Sequence, residues 1–176
     1  VIGTGTPGGL PWEEGPVASV QLNYPLDVAV DASGDVFVAD HNNLAVRKVD
    51  ISGGQVKNAH DLSGAGYGSP SSIFINEANE LFTVMDSVIF KSDTDGMNVE
   101  FIAYNGYLAN SDGRLALADG TYDNGLIDKP QFIVTNTEGN IYLTEAVPGH
   151  LAKVKKIDTH GIIKTVAGTD SESYSG

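Results

Sequence analysis

The chain has 176 residues, 41% of them apolar, and its 23 acidic against 10 basic side chains leave a formal net charge of -13 at pH 7. A field of that sign repels phosphate backbones and anionic lipid, which need clustered Lys and Arg to displace counterions, so neither nucleic acid nor membrane insertion is expected. With no cysteine, disulfides, thiolate catalysis and cysteine zinc sites are excluded together, and the apolar runs are far shorter than the roughly 20 residues that span a bilayer.

The opening Val1-Ile2-Gly3-Thr4-Gly5-Thr6 reads as a short outer strand running into a turn, and its pattern returns at Val166-Ala167-Gly168-Thr169. After a long connection from Gly8 to Tyr24 come three similar units, beginning YPLDVAVDASGDVFVAD at Tyr24, SPSSIFINEANELFTVMD at Ser69 and KPQFIVTNTEGNIYLTE at Lys129. Each holds a proline, an apolar strand, a tight turn, a second strand ending in an acidic residue, a third strand with Lys, a Gly turn and a fourth strand. The turns Asp31 to Asp35, Glu77 to Glu80 and Thr137 to Asn140 use the Gly, Asn and Asp that tolerate positive φ, as do Ser52-Gly53-Gly54, Asp95-Gly96 and His160-Gly161 at each last hairpin. Between the second and third units, the stretch Arg114 to Ala118 allows one helical turn at most.

Inner strands such as Val28 to Val30 with Val36 to Ala39, or Ile73 to Ile75 with Leu81 to Met85, are apolar on both faces and so need a neighbour on each side. Outer strands alternate, as in Ile163-Lys164-Thr165-Val166. A sheet graded from apolar centre to polar rim is what radial stacking produces. The fold expected is therefore an all-β propeller of four-stranded antiparallel blades, with blades near 24–62, 69–103 and 129–168, an outer strand of a preceding blade at 1–6 and a lead-in to a following one at 169–176. Propellers close with about 4 to 8 blades. Three leave two faces open, to be covered by remaining blades or a second copy in a ring of about six.

The run Val36-Phe37-Val38-Ala39-Asp40, with Asn43 and Arg47-Lys48 after it, resembles an NHL repeat. The long Gly-rich connections that end in Leu22 or Ile127 and then Pro are similar to those in NHL propellers of Bacteroidetes surface proteins, which often carry an IPT/TIG domain. That resemblance implies export to a cell surface or the periplasm and the handling of extracellular glycans. The chain departs from the family pattern at Ala45, where relatives carry Arg, and the loop in question shortens to Asp86-Ser87 in the second unit.

In an up-and-down blade the tight turns share one face of the disc and the longer loops and linkers share the other. Binding residues concentrate on long loops held by a rigid scaffold. The expected ligand-binding set is Trp12, Tyr24, Asp40, His41, Asn43, Asp86, Tyr122, Glu145 and His150. Aromatic rings with carboxylates and amides suit a neutral polyhydroxyl ligand. Asp40, Asp86 and Glu145 read as one repeat position, with two readings open: each accepts hydrogen bonds from its own loop, or together they hold Ca²⁺. No cofactor is otherwise called for, and no catalytic residue is assigned, because no nucleophile motif or zinc-type histidine spacing occurs. The leading expectation is a non-enzymatic module binding a glycan or a protein. The alternative is a divalent-cation-dependent hydrolase resembling propeller lactonases.

Overall fold

A computed structural model describes residues 2–10, 13–61, 68–86, 88–104, 107–109, 115–117, 127, 129–145 and 152–168. Strands β2 (Pro25–Val30), β3 (Val36–Asp40), β4 (Ala45–Asp50) and β5 (Gln55–Asp61) form the first antiparallel meander, and β1 (Gly15–Pro16) adds a short strand to the edge of β5. The second comprises β6 (Pro70–Ile75), β7 (Glu80–Met85), β8 (Val88–Asp93) and β9 (Glu100–Tyr104), extended by β10 (Tyr107–Ala109) and β11 (Leu115–Leu117). The third is β12 (Pro130–Thr135), β13 (Ile141–Glu145), β14 (Lys153–Ile157) and β15 (Ile163–Ala167). We call these meanders blades 1, 2 and 3.

The stretch considered above for a helical turn is instead strand β11, paired with β10 from Tyr107↔Leu117 to Ala109↔Leu115. A hairpin satisfies backbone groups that a single isolated helical turn leaves unpaired. Residues 2–10 form no strand; the Gly3 amide donates to the Val17 carbonyl at 3.0 Å beside blade 1.

Two apolar layers hold the blades together. Phe37, Ala39 and Val46 of blade 1 meet Ile73 and Leu81 of blade 2, and Phe82, Val84 and Ile89 of blade 2 meet Ile133, Ile141, Leu143, Ile157 and Ile163 of blade 3. Opposite residues of β2 and β3 share a face, so Val28 and Val38 both point away from blade 2. The outer part of that face, with Val38, Val49 and Val56, is covered by Val17, Val20 and Leu22 of the N-terminal connection. Its inner part is bare: Val28 is 63% and Val30 58% exposed. No described residue packs on that side of β2, the flank that three blades by themselves leave open. Phe132 and Val134 are likewise exposed on blade 3, at 63% and 51%.

Candidate functional site

The long-loop face is built at the ends of the second strands. Asp40 closes β3, and the 3₁₀ turn His41–Asn43 carries the chain into β4. Asp40 is completely buried, and its carboxylate is consumed by internal donors: the Asn23 amide at 2.7 Å, Asn43 Nδ2 at 2.9 Å and Arg47 Nε at 3.1 Å. Arg47, also fully buried, donates onward to the carbonyls of Leu10 at 2.6 Å and Glu13 at 2.7 Å. Asn43 Nδ2 reaches the Gly8 carbonyl at 2.8 Å. Asp40, Asn43 and Arg47 thus clamp the N-terminal connection onto blade 1, and Asp40 and Asn43 present nothing to a ligand in solution.

The supposed common acidic position divides on strand register. Asp40 pairs with Ala45, Glu145 with Lys153 and Met85 with Val88, so Met85, not Asp86, is the blade 2 counterpart of Asp40 and Glu145. The counterparts of Arg47 are Phe90 and Lys155. Blade 3 keeps the ion pair, with Lys155 Nζ 3.8 Å from Glu145 Oε2 and both side chains buried. Blade 2 replaces it with an apolar cluster of Met85, Val88, Phe90 and Phe101. The equivalent carboxylates therefore do not form a ring of three, and the two that exist are each paired inside a blade.

What remains open to solvent lies at the junction of blades 1 and 2. Tyr24 is 63% exposed and held at φ 56°, with its ring edge-on to His41 at 5.9 Å between centroids. His41 Nδ1 lies 3.0 Å from the Pro70 carbonyl, which only accepts, so Nδ1 carries the proton and a neutral ring offers Nε2 as an acceptor. Pro70 pairs with Met85, and the exposed Asp86 follows directly. The Asp86 carboxylate sits so close over Gly68 that a Cβ there would overlap it. The Pro70 carbonyl, at the proline that opens the second unit, is what ties the blade 1 loop to blade 2, while Gly68, which spacing along the chain does not single out, leaves room for Asp86. Trp12, Tyr122 and His150 lie outside the described residues.

Residues 22–49 match the NHL repeat family model. No curated protein matches the chain. Among solved structures it is similar to a chain of a nidogen/laminin complex, with a TM-score of 0.61 and 17% identity over 83% of this chain and 49% of that one. It is also similar to a gluconolactonase from Xanthomonas campestris, with a TM-score of 0.57 and 14% identity over 84% of this chain and 48% of that one. The chain thus spans about half the length of the structures it matches. These are six-bladed propellers, and the fold is an all-β propeller segment of three blades, the first of which matches the NHL repeat model over residues 22–49.

Proposed function

We propose that this propeller segment is a binding module of an exported protein, taking a neutral glycan on the long-loop face where blades 1 and 2 meet. The observation that carries the reading is the exposed Tyr24 ring, fixed against His41 beside an exposed carboxylate at Asp86. A ring of that kind stacks on the C–H face of a sugar, while His41 Nε2 and the Asp86 carboxylate accept from its hydroxyls. Export rests on the resemblance to NHL propellers of surface proteins. Glycan-array binding by the wild type, lost in Tyr24→Ala and weakened in Asp86→Asn, supports the reading. A panel on which wild type and Tyr24→Ala behave alike turns it down in favour of a protein ligand.

The likeness to a gluconolactonase keeps a hydrolase in view as the second reading. The enclosed pairs Asp40–Arg47 and Glu145–Lys155 weigh against a central cation held by those carboxylates. Millimolar Ca²⁺ is expected to leave the melting temperature unchanged; a rise with Ca²⁺ concentration would favour the hydrolase.

A further inference from the structure

The two blade junctions are fastened differently on the tight-turn face. In the first turn of blade 2, Asn79 Oδ1 accepts from the Ala32 amide of blade 1 at 2.9 Å, and its Nδ2 donates to Thr94 Oγ1 at 3.0 Å. Lys48 of blade 1 adds a second link, donating to the Thr94 carbonyl and the Asp95 carboxylate, each at 3.2 Å. Burial opposes the charge on Lys48, but Asp95, with Asp31 and Asp35, outweighs it and raises the pKa.

Neither link is repeated between blades 2 and 3. The turn hydrogen bonds align Asn79 with Gly139, Ala32 with Glu77, Thr94 with Thr159 and Asp95 with His160. Gly139 has no side chain to reach back to blade 2. Lys91, the counterpart of Lys48, is bound within its own blade to Glu80 and Glu100, each at 3.2 Å. Between the two turns lies a cleft of about 780 Å³. Phe74 gives it an apolar wall, Thr135 a hydroxyl, and Glu77, Glu80 and Glu138 a carboxylate side, with no Lys or Arg in its lining. Glu80 is paired with Lys91 and Glu138 Oε2 accepts from Asn140 Nδ2 at 2.9 Å, whereas Glu77 is exposed and has no partner among the described residues.

We propose that this cleft binds a small organic cation: an aliphatic stem ending in an ammonium or guanidinium group. Its size falls within the roughly 300–1,000 Å³ of small-molecule sites. The stem would cover Phe74 and the charged head would lie among the carboxylates. Anions are opposed by the lining and by the net charge of -13. A bare metal ion would leave the apolar wall unused.

Calorimetric titration of the protein carrying this chain with 1,5-diaminopentane, and with pentane-1,5-diol as the uncharged control, tests this. Saturable binding of the diamine alone is expected, weakened about tenfold in Glu77→Gln/Glu138→Gln. Gly139→Asn probes the cleft without changing charge. The new side chain can meet the Glu77 amide and Thr159 as Asn79 meets Ala32 and Thr94, drawing the turns together, and it too is expected to weaken binding about tenfold. The same loss of two charges on and beside blade 1, Glu14→Gln/Asp50→Asn, is expected to leave binding unchanged. Equal uptake of diol and diamine, equal weakening by the blade 1 control, or undiminished binding in both cleft variants overturns the proposal.

Discussion

Asp40 and Arg47 meet at 3.1 Å with both side chains wholly enclosed, and strand register gives the same two positions in blade 2 to Met85 and Phe90. One scaffold thus tolerates an ionic and an apolar solution at a single site. Removing one partner strands a buried charge, so Arg47→Met is expected to cost about 3–5 kcal/mol in chemical denaturation. Copying blade 2 with Asp40→Met/Arg47→Phe is expected to recover much of that loss. The double variant nevertheless loses the bonds from Arg47 to the Leu10 and Glu13 carbonyls, so limited proteolysis should cut the N-terminal connection faster than in the wild type.

Gly96 sits at φ 74°, and a Cβ there would overlap the Ala59 carbonyl oxygen, which belongs to the neighbouring blade's backbone and cannot swing aside. Gly96→Ala is therefore expected to cost about 2–5 kcal/mol, combining left-handed strain with overpacking at the junction. Gly54, at φ 64°, has nothing within 4 Å of the same position. Gly54→Ala carries the strain alone, about 1–2 kcal/mol. Equal losses in the two variants would contradict the close approach of blades 1 and 2.

His60 is buried against blade 2, with Nε2 2.9 Å from Ser92 Oγ. Burial pushes its pKa down, and Asp93 offsets this only in part. On acidification the unfolded ring, with an ordinary value of about 6.5, takes up its proton before the native one, so the unfolded state binds more protons below that pH. His60 therefore supports the fold fully above about pH 6.5 and progressively less as pH falls toward its lowered native value. Urea unfolding at about pH 7.5 and about pH 5 should show a larger acid loss in the wild type than in His60→Gln. Parallel losses would show that His60 does not titrate with unfolding.

Much of the scaffold was legible because backbone geometry restricts residue choice. The first turns place Gly34, Asn79 and Gly139 at φ 87°, 61° and 83°, and those residue types mark such positions in any sequence. The site was less legible, because hydrogen-bond register decides which residues correspond. Met85-Asp86 looks like a strand ending in an acid, yet Met85 is the residue that pairs as Asp40 does. Spacing along the chain does not reveal a one-residue offset that arises where a loop shortens. Nor could composition tell that Asp40 and Glu145 face basic partners inside their own blades, since those partners lie across a strand pair.

The bare faces carry a prediction about the chain on its own. Val28 and Val30 at one end, and Phe132, Val134 and Val166 at 63%, 51% and 49% exposure at the other, leave apolar sheet surface where further blades or a second copy would pack. Residues 1–176 expressed alone are expected to self-associate, and Val28→Lys/Phe132→Lys to reduce that association. Light scattering across a concentration series checks it; a wild type that stays monomeric throughout would contradict the open faces.

The most direct test of the proposed function is an NMR titration with the glycan that binds best on the array. Saturable shifts of the Tyr24, His41, Gly68 and Asp86 amides are expected, abolished in Tyr24→Ala, while the tight-turn amides of Ser33, Ala78 and Glu138 stay still. Shifts centred on those turns, or a Tyr24→Ala variant that binds like the wild type, would contradict a glycan site on the long-loop face of blades 1 and 2.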